Sequence, residues 1–388
     1  MTCLPFYIPT EKKLKIVIAG GGYAGITALV TFLRHMPDAS ITIIDPRSQH
    51  IKITHLHETF RYPLQDILLP FSTLEKRFHC RHICAELALE ESTLLQWQND
   101  KFMTIQDEII EFDYLLVATG ANSNQGNQTK KTKNTLNLND FLDTAGSDLL
   151  NNYLTKNNKD EHCISVVGGG ATSIQFLFEI SHFLRRQKIK SKLRLINGED
   201  RVLKQFPESL SRYVETRMDE MDIDFYPNTY YKEQRANTIL LEEKGLKKEF
   251  SLPSALSLLF LGKQSKNLLS ANTFGQVIVN QQALQSIFTA GDCSVYHAYG
   301  SNTMTAQSAV RKGKLAAHNI LRNSGILKLL EPYLHCDLGY VVSLGPTDAV
   351  GWLGLEGNSI GGTAALLIKE MVESQYDLLL AGIDTYRL

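Results

Sequence analysis

Leu14-Lys15-Ile16-Val17-Ile18-Ala19 runs into Gly20-Gly21-Gly22-Tyr23-Ala24-Gly25 and then into Ile26-Thr27-Ala28-Leu29-Val30. The β-branched apolar run, the glycine cluster and the apolar helical pattern predict a strand, a tight turn and a helix in that order. The next apolar run, Ile41-Thr42-Ile43-Ile44, closes on Asp45, twenty residues after Gly25, where a βαβ unit ends its second strand. Each residue type has a physical task. Gly20 allows the turn, Gly22 lets a pyrophosphate approach the backbone at a helix N-terminus, and Gly25 lets helix and strand pack closely. The Asp45 carboxylate is expected to accept the two hydroxyl protons of an adenosine ribose. The unit predicts a dinucleotide site.

The pattern recurs 148 residues further on: Cys163-Ile164-Ser165-Val166-Val167 leads into Gly168-Gly169-Gly170-Ala171-Thr172-Ser173 and then Ile174-Gln175-Phe176-Leu177. A second strand, turn and helix suggest a second nucleotide. Two positions depart from the pattern. Ser173 stands at the third glycine, and the strand Leu193-Arg194-Leu195-Ile196 ends in Asn197 rather than an acid. Arg185, Arg186, Lys188, Lys190, Lys192 and Arg194 form a basic run before Asn197, which reads either as tolerance of an NADPH 2′-phosphate or as a solvated helix end and edge strand.

Residues 122–160 are polar, with one helix expected near Leu138 to Leu154 and little core. Asn228 to Phe250 predicts a small β-meander, Gly339 to Leu344 a strand and Thr363 to Leu380 a last helix. His79-Cys80-Arg81-His82-Ile83-Cys84 concentrates metal-ligand types, but it enters a predicted strand, Ile83 to Leu89, whose alternation sends neighbours to opposite faces. No metal site is expected there.

The composition narrows the function classes. The chain has 388 residues, 43% hydrophobic and 21% charged, which fits a globular protein of two to three domains and excludes a disordered or fibrous one. With 40 Lys+Arg against 41 Asp+Glu, the net charge of −1 gives no global field to hold nucleic acid or an anionic membrane. The first residues lack the basic start and apolar run of a secretory signal, so a cytosolic protein is expected. No apolar run approaches the roughly 18 to 20 residues that span a bilayer. Six scattered cysteines without a Cys-x-x-Cys pair argue for reduced thiols.

Three further segments make the pattern familiar. Phe112-Asp113-Tyr114-Leu115-Leu116-Val117 ends in Ala118-Thr119-Gly120, Ser286-Ile287-Phe288-Thr289-Ala290 ends in Gly291-Asp292, and Ala306-Gln307-Ser308-Ala309-Val310-Arg311-Lys312-Gly313 opens a helix. With the two glycine turns they resemble the pyridine nucleotide-disulfide oxidoreductase-like flavoproteins, and among these the type II NADH dehydrogenases. The tail, Val342-Ser343-Leu344-Gly345 and Gly362 to Lys369, is similar to that branch as well. The resemblance implies an α/β fold of two Rossmann-like dinucleotide-binding domains with a small C-terminal α+β region. Residues 14–121 and 263–325 would form the FAD-binding domain, 122–262 the NAD(P)-binding domain with its connecting segment, and 326–388 the C-terminal region.

On the same resemblance, FAD contacts fall on Gly20, Gly22, Tyr23, Ala24, Gly25, Asp45, Pro46, Arg47, Thr119, Gly120, Gly291, Asp292, Thr305 and Ala306. The nicotinamide nucleotide falls on Gly168, Gly170, Ala171, Ser173, Asn197 and Gly262. Gln307, Gln175 and Lys369 are the implied catalytic group, with Gln307 and Lys369 toward a quinone and Gln175 where the branch usually places a glutamate. The implied reaction passes a hydride from NADH to flavin and two electrons on to a quinone, with NADPH open as the donor. Arg311 departs from a second glutamine common in the quinone motif.

Leu367, Ile368, Met371, Val372, Tyr376, Leu379 and Leu380 form one broad helical stripe, to be spent on core, on a homodimer contact or on a peripheral attachment to the inner face of the cell membrane. Lys369 either lines a quinone tunnel or snorkels from this helix. Two rival functions stand beside the leading one. A flavin reductase with another donor or a soluble acceptor would suit Gln175 and Asn197, and a non-catalytic FAD or nucleotide sensor would use the fold only to bind.

Overall fold

The computed structural model describes residues 13–123, 134–156, 162–265 and 268–386. The segment from Leu14 to Val30 forms the strand Lys15–Ala19 and opens the helix Tyr23–His35. The strand lies between Tyr114–Val117 and Ser40–Ile44, pairing parallel with both (Val17 opposite Leu115 and Thr42). Parallel strands covered on both faces need continuous apolar runs, and Ile16 to Ala19 and Leu115 to Val117 are fully buried. The complete sheet has eight strands in the order Ser294–Tyr296, Leu269–Ala271, Gln276–Val279, Gln282–Thr289, Tyr114–Val117, Lys15–Ala19, Ser40–Ile44 and Arg81–Ile83. It is therefore built from two separate stretches of chain.

A second sheet of five parallel strands runs in the order Thr135–Asn137, Leu256–Leu259, His162–Val167, Ser191–Ile196 and Ile223–Tyr226. The expected meander is present as the antiparallel strands Thr229–Arg235, Thr238–Glu243 and Glu249–Pro253. Asn122–Ser123 and Lys263–Gln264, on the two chain crossings between the sheets, pair with each other.

The C-terminal region is a three-stranded antiparallel sheet, Gly339–Ser343, Ala349–Leu353 and Leu355–Gly361, followed by the helix Gly362–Leu380. It joins the two halves. Val342, Leu344, Val350 and Trp352 enter the core of the five-stranded domain. Tyr376, Leu379 and Leu380 enter the core around the first helix.

Three expectations differ from what the chain does. The strand placed at Ile83 to Leu89 is Arg81–Ile83 only. Its one neighbour ends at Ile44, opposite Ile83, and Pro46 just beyond has no N–H to continue a ladder. The helix expected at Leu138 to Leu154 is broken into Asp140–Asp143 and Gly146–Lys156. Thr144 is extended there, and the Gly146 N–H is taken by Thr59 Oγ1 at 2.9 Å. Nor is this stretch poor in core, because Phe141, Ala145, Leu150 and Leu154 are buried in the core of the five-stranded domain.

The stripe on the last helix divides as well. Tyr376, Leu379 and Leu380 are buried with Ala365 and Lys369, whereas Leu367, Met371 and Val372 face outward, Met371 at 70% exposure.

Candidate nucleotide and redox site

The first glycine turn is shaped by contacts that exclude any side chain at two places. Gly20 has φ +109°, and a Cβ on it would overlap the Ala118 carbonyl. A Cβ on Gly25 would overlap Gly20 O, which is how the helix comes to lie against the strand. A Cβ on Gly22 would instead meet open space. Gly22 is the N-cap and offers no side-chain acceptor, and the first turn carries no acid. The turn's N–H groups and the helix dipole are thus left for an anion, which is the cradle a pyrophosphate needs.

Asp45 is 2% exposed and accepts the Gly21 N–H at 2.8 Å. Arg47 donates to both of its oxygens, from Nε at 3.1 Å and a terminal nitrogen at 3.1 Å. Burial works against the charge, but the Arg47 hydrogen bonds and charge and the Gly21 N–H outweigh it and hold the carboxyl below its usual range. Asp45 therefore clamps the glycine turn, and a ribose would reach its oxygens only as the half-exposed Arg47 side chain swings aside. Pro46 is exposed beside it.

Sequence reasoning missed His50, which is buried between the turn and the last helix. Its Nδ1 lies 3.0 Å from Gly21 O and its Nε2 3.1 Å from the Tyr376 hydroxyl. The ring of Tyr23 stacks on Tyr376 at 4.2 Å, and its hydroxyl meets Thr54 Oγ1 at 2.9 Å. No local pattern marks His50, because its partners come from segments far away in the chain. Ala24 meets the second piece of this domain: a Cβ on Gly313 would overlap its backbone, and one on Gly291, at φ +79°, would press on its methyl. Asp292 is half-buried after Gly291, while Thr119 is exposed and Gly120 opens onto free space. Thr305 caps the helix Ala306–Asn323 by accepting the Ser308 N–H at 3.1 Å, which leaves Ala306 and half-buried Gln307 in its first turn. These residues fit FAD: an uncapped helix, two open glycines and a second helix N-terminus share one sheet end.

The second turn repeats the backbone with different side chains. Gly168 has φ +118°, Gly170 is the uncapped N-cap with open space at its Cβ, and Ala171 opens the helix Ala171–Arg186. Ser173 is buried and donates to Gly170 O at 3.1 Å, which closes the turn by a hydrogen bond. Asn197 is buried, and its Nδ2 donates to Glu199 O at 3.2 Å and Arg201 O at 2.9 Å. It organises the loop behind Gly169 and has no donor left for a ribose. Gly262, at φ +91°, is exposed and open.

Four members of the basic run have structural partners. Arg194 is buried against Pro253 O, Lys192 pairs with Asp224, and Arg185 and Arg186 donate to Met221 O and Phe60 O.

Gln175 and Lys369 meet in a buried polar network. Gln175 Nε2 donates to Ser343 Oγ at 3.2 Å, and that hydroxyl lies 2.8 Å from His57 Nε2. Lys369 does not snorkel: it is 5% exposed, and its ammonium sits 3.1 Å from Glu58 and 2.7 Å from Glu373. His55 Nδ1 is 3.1 Å from Glu58, and Arg61 holds the buried Glu179 at 3.0 Å. Burial opposes the Glu58 charge, yet the His55 hydrogen bond and the Lys369 charge drive its carboxyl far below the usual range. Burial, ahead of the Lys369 charge, pushes His57 down to about 3. Burial also pushes Glu179 up to about 6 despite Arg61. His55, Glu58 and Glu373 have metal-like spacing, but the Lys369 ammonium already lies among them. Among the described residues no hydrogen bond joins Gln307 to this network. In the His79 to Cys84 run, the His82 ring stacks on Phe71 and Cys84 Sγ donates to Pro46 O.

Two sheets, one of five parallel strands and one of eight in which only Gln276–Val279 pairs antiparallel, each carry an uncapped glycine turn after a parallel strand and define a protein of the two-dinucleotide oxidoreductase class. The chain belongs to the pyridine nucleotide-disulphide oxidoreductase family, whose sequence model matches residues 14–313. It is 27% identical over 393 residues to the type II NADH:quinone oxidoreductase of Haemophilus influenzae, covering 87% of this chain and 86% of that protein. It is 24% identical over 407 residues to the internal alternative NAD(P)H-ubiquinone oxidoreductase A1, mitochondrial, of Arabidopsis thaliana, covering 88% of this chain and 76% of that one. In fold it is similar to the NDH2 of Plasmodium falciparum solved with NADH, with a TM-score of 0.77 at 15% identity over 94% of this chain and 95% of that one. The sulfide:quinone oxidoreductase of Aquifex aeolicus gives a TM-score of 0.77 at 18% identity over 96% and 92%.

Proposed function

We propose that the chain is an FAD-dependent NADH:quinone oxidoreductase that carries out NADH + H⁺ + quinone → NAD⁺ + quinol. The observation that carries this reading is the pair of open, uncapped turns at Gly22 and Gly170, each following a parallel strand of its own sheet. When bound, FAD supplies a ring that takes a hydride from the nicotinamide and passes two electrons to the quinone. The chain's own contribution is binding, orientation and charge.

The helix at Tyr23 and Gly291–Asp292 hold FAD, and the helix at Ala171 holds the pyrophosphate of NADH. Gln175, its amide oriented by Ser343, faces the nicotinamide end. Gln307 donates to a quinone carbonyl, and Lys369, fixed by Glu58 and Glu373, gives that side a buried positive charge. NADH as the donor is supported by the name of the Haemophilus influenzae relative; Glu199 and Asp200, which follow Asn197, are each paired with a lysine, Lys244 and Lys204. The names of the two relatives support the quinone acceptor.

The same reading assigns the outward face of the last helix to a membrane surface. Leu367, Met371, Val372 and Leu378 are exposed there, and Leu329, at 88%, Leu334 and Leu338 are exposed on the stretch before it. No helix among the described residues is long and apolar enough to cross a membrane.

Steady turnover of NADH with a short-chain quinone tests the function. Gln307→Ala is expected to raise the quinone KM several-fold while NADH still reduces the bound flavin at the wild-type rate. An unchanged quinone response removes Gln307 from the site. Sedimentation with liposomes tests the surface: Met371→Glu should release the protein, and an unaffected monomer–dimer balance would separate lipid from self-association.

A further inference from the structure

Lys312 is buried to 1% exposure on the helix Ala306–Asn323. The other deeply buried lysines, Lys314 and Lys369, lie against carboxylates. Lys312 differs, since its hydrogen bonds all go to neutral oxygens: Ser294 O at 2.9 Å, Asn302 Oδ1 at 2.9 Å and Ser294 Oγ at 3.3 Å. These match the three donors of an ammonium. The Tyr296 and Tyr333 rings lie 5.0 and 5.8 Å from it. An apolar side chain of similar length would fill the space without the desolvation cost of a buried charge. The charge therefore calls for an explanation beyond packing.

Its surroundings supply one. Side chains on a helix lean toward the N-terminus, so the Lys312 ammonium lies toward the end that carries Thr305 and Gln307, where it adds to the positive end of the helix dipole. The Ser294 hydroxyl that it touches donates to Gly291 O at 2.7 Å. Lys312 is thus two hydrogen bonds from the Gly291–Asp292 segment assigned to FAD.

Resting on the flavoprotein reading above, we propose that Lys312 is an electrostatic positioning residue of the FAD site, which pins the Gly291–Ser294 segment and places a buried positive charge behind it. Such a charge favours the cofactor's phosphates and the negative charge that reduction adds to the ring, so it strengthens FAD retention and raises the flavin midpoint potential. Burial pushes the Lys312 ammonium down to about 8, with the Asp292 charge and then Cys293 opposing. The groups facing it are Asp292 and Cys293 from the short helix Gly291–Cys293, Tyr296 from the strand Ser294–Tyr296, Asn302 from the loop beyond, and Tyr333. The positive charge is accordingly lost as pH rises through about 8.

The test is the midpoint potential and FAD dissociation of purified holoprotein between pH 7 and 9.5, for wild type, Lys312→Met and Lys312→Arg, with a thermal melt for each. Wild type should show a break in midpoint against pH near 8. Lys312→Met should shift the pH 7 midpoint negative, remove the break and weaken FAD retention by about tenfold. Lys312→Arg should keep the midpoint and carry it unbroken across the range. A folded Lys312→Met with the wild-type midpoint, or a wild type without the break, overturns the proposal. Should Lys312→Met fail to fold, the wild-type and Lys312→Arg profiles decide. A wild-type chain that takes up no FAD contradicts the flavoprotein reading itself, which a yellow protein with an unmoved midpoint does not.

Discussion

The two glycine turns share a backbone and differ in what locks it. At the first, Gly25 lets the helix rest on Gly20 O, Asp45 binds the Gly21 N–H, and His50 ties Gly21 O to Tyr376 of the last helix. At the second, Ser173 replaces the close approach with a hydrogen bond to Gly170 O, and Asn197 spends its amide on the following loop. The first turn is locked by charge and by a distant segment, the second by short neutral bonds within its own domain. A site that holds its nucleotide through every turnover gains from the former, whereas one that must release product each cycle does not need it.

The largest effect should come from filling the cradles one at a time. Gly22→Leu should abolish FAD retention, whereas Gly170→Leu should leave a yellow protein that NADH no longer reduces. Flavin content and anaerobic bleaching read both, and equal flavin loss in the two variants would erase the distinction. Close behind, Gly25→Ala should cost about 3 kcal/mol or more through overlap with Gly20 O, while Ser173→Gly should cost less than about 1 kcal/mol, as read by chemical denaturation.

Asn197→Asp should destabilise by about 2 kcal/mol, because it removes two donors and turns a carboxylate toward the Glu199 and Arg201 carbonyls. A gain in NADH affinity instead would make position 197 a ribose ligand. The smallest and most gradual effect is with acid. Burial holds native His50 at about 4 against 6.5 unfolded, so the unfolded chain binds the extra proton and the first turn loses stability as pH falls from about 6.5 toward 4. FAD release over that range should be shallower in His50→Gln.

Both turns, the meander and the last helix were legible in the sequence because glycine spacing and apolar periodicity are local signals. What escaped depends on contacts between distant segments. The break at Thr144 comes from Thr59, the Gln175–Ser343–His57 chain from three segments, and the Glu58–Lys369 pair from residues 311 apart. The stripe on the last helix left its use open, and it is divided: Tyr376, Leu379 and Leu380 are buried beside Lys369 while Leu367 and Met371 face outward, so apolarity alone did not mark which part is core.

The central claim is that the second turn, altered as it is, still delivers electrons to a flavin held by the first. Anaerobic titration of the purified protein with NADH, then NADPH, while following oxidised-flavin absorbance, tests it most directly. Bleaching by near-stoichiometric NADH, with NADPH needed in excess, is the predicted result. A protein that binds FAD and stays yellow with both would contradict the claim and mark Ser173, Gln175 and Asn197 as a lost donor site.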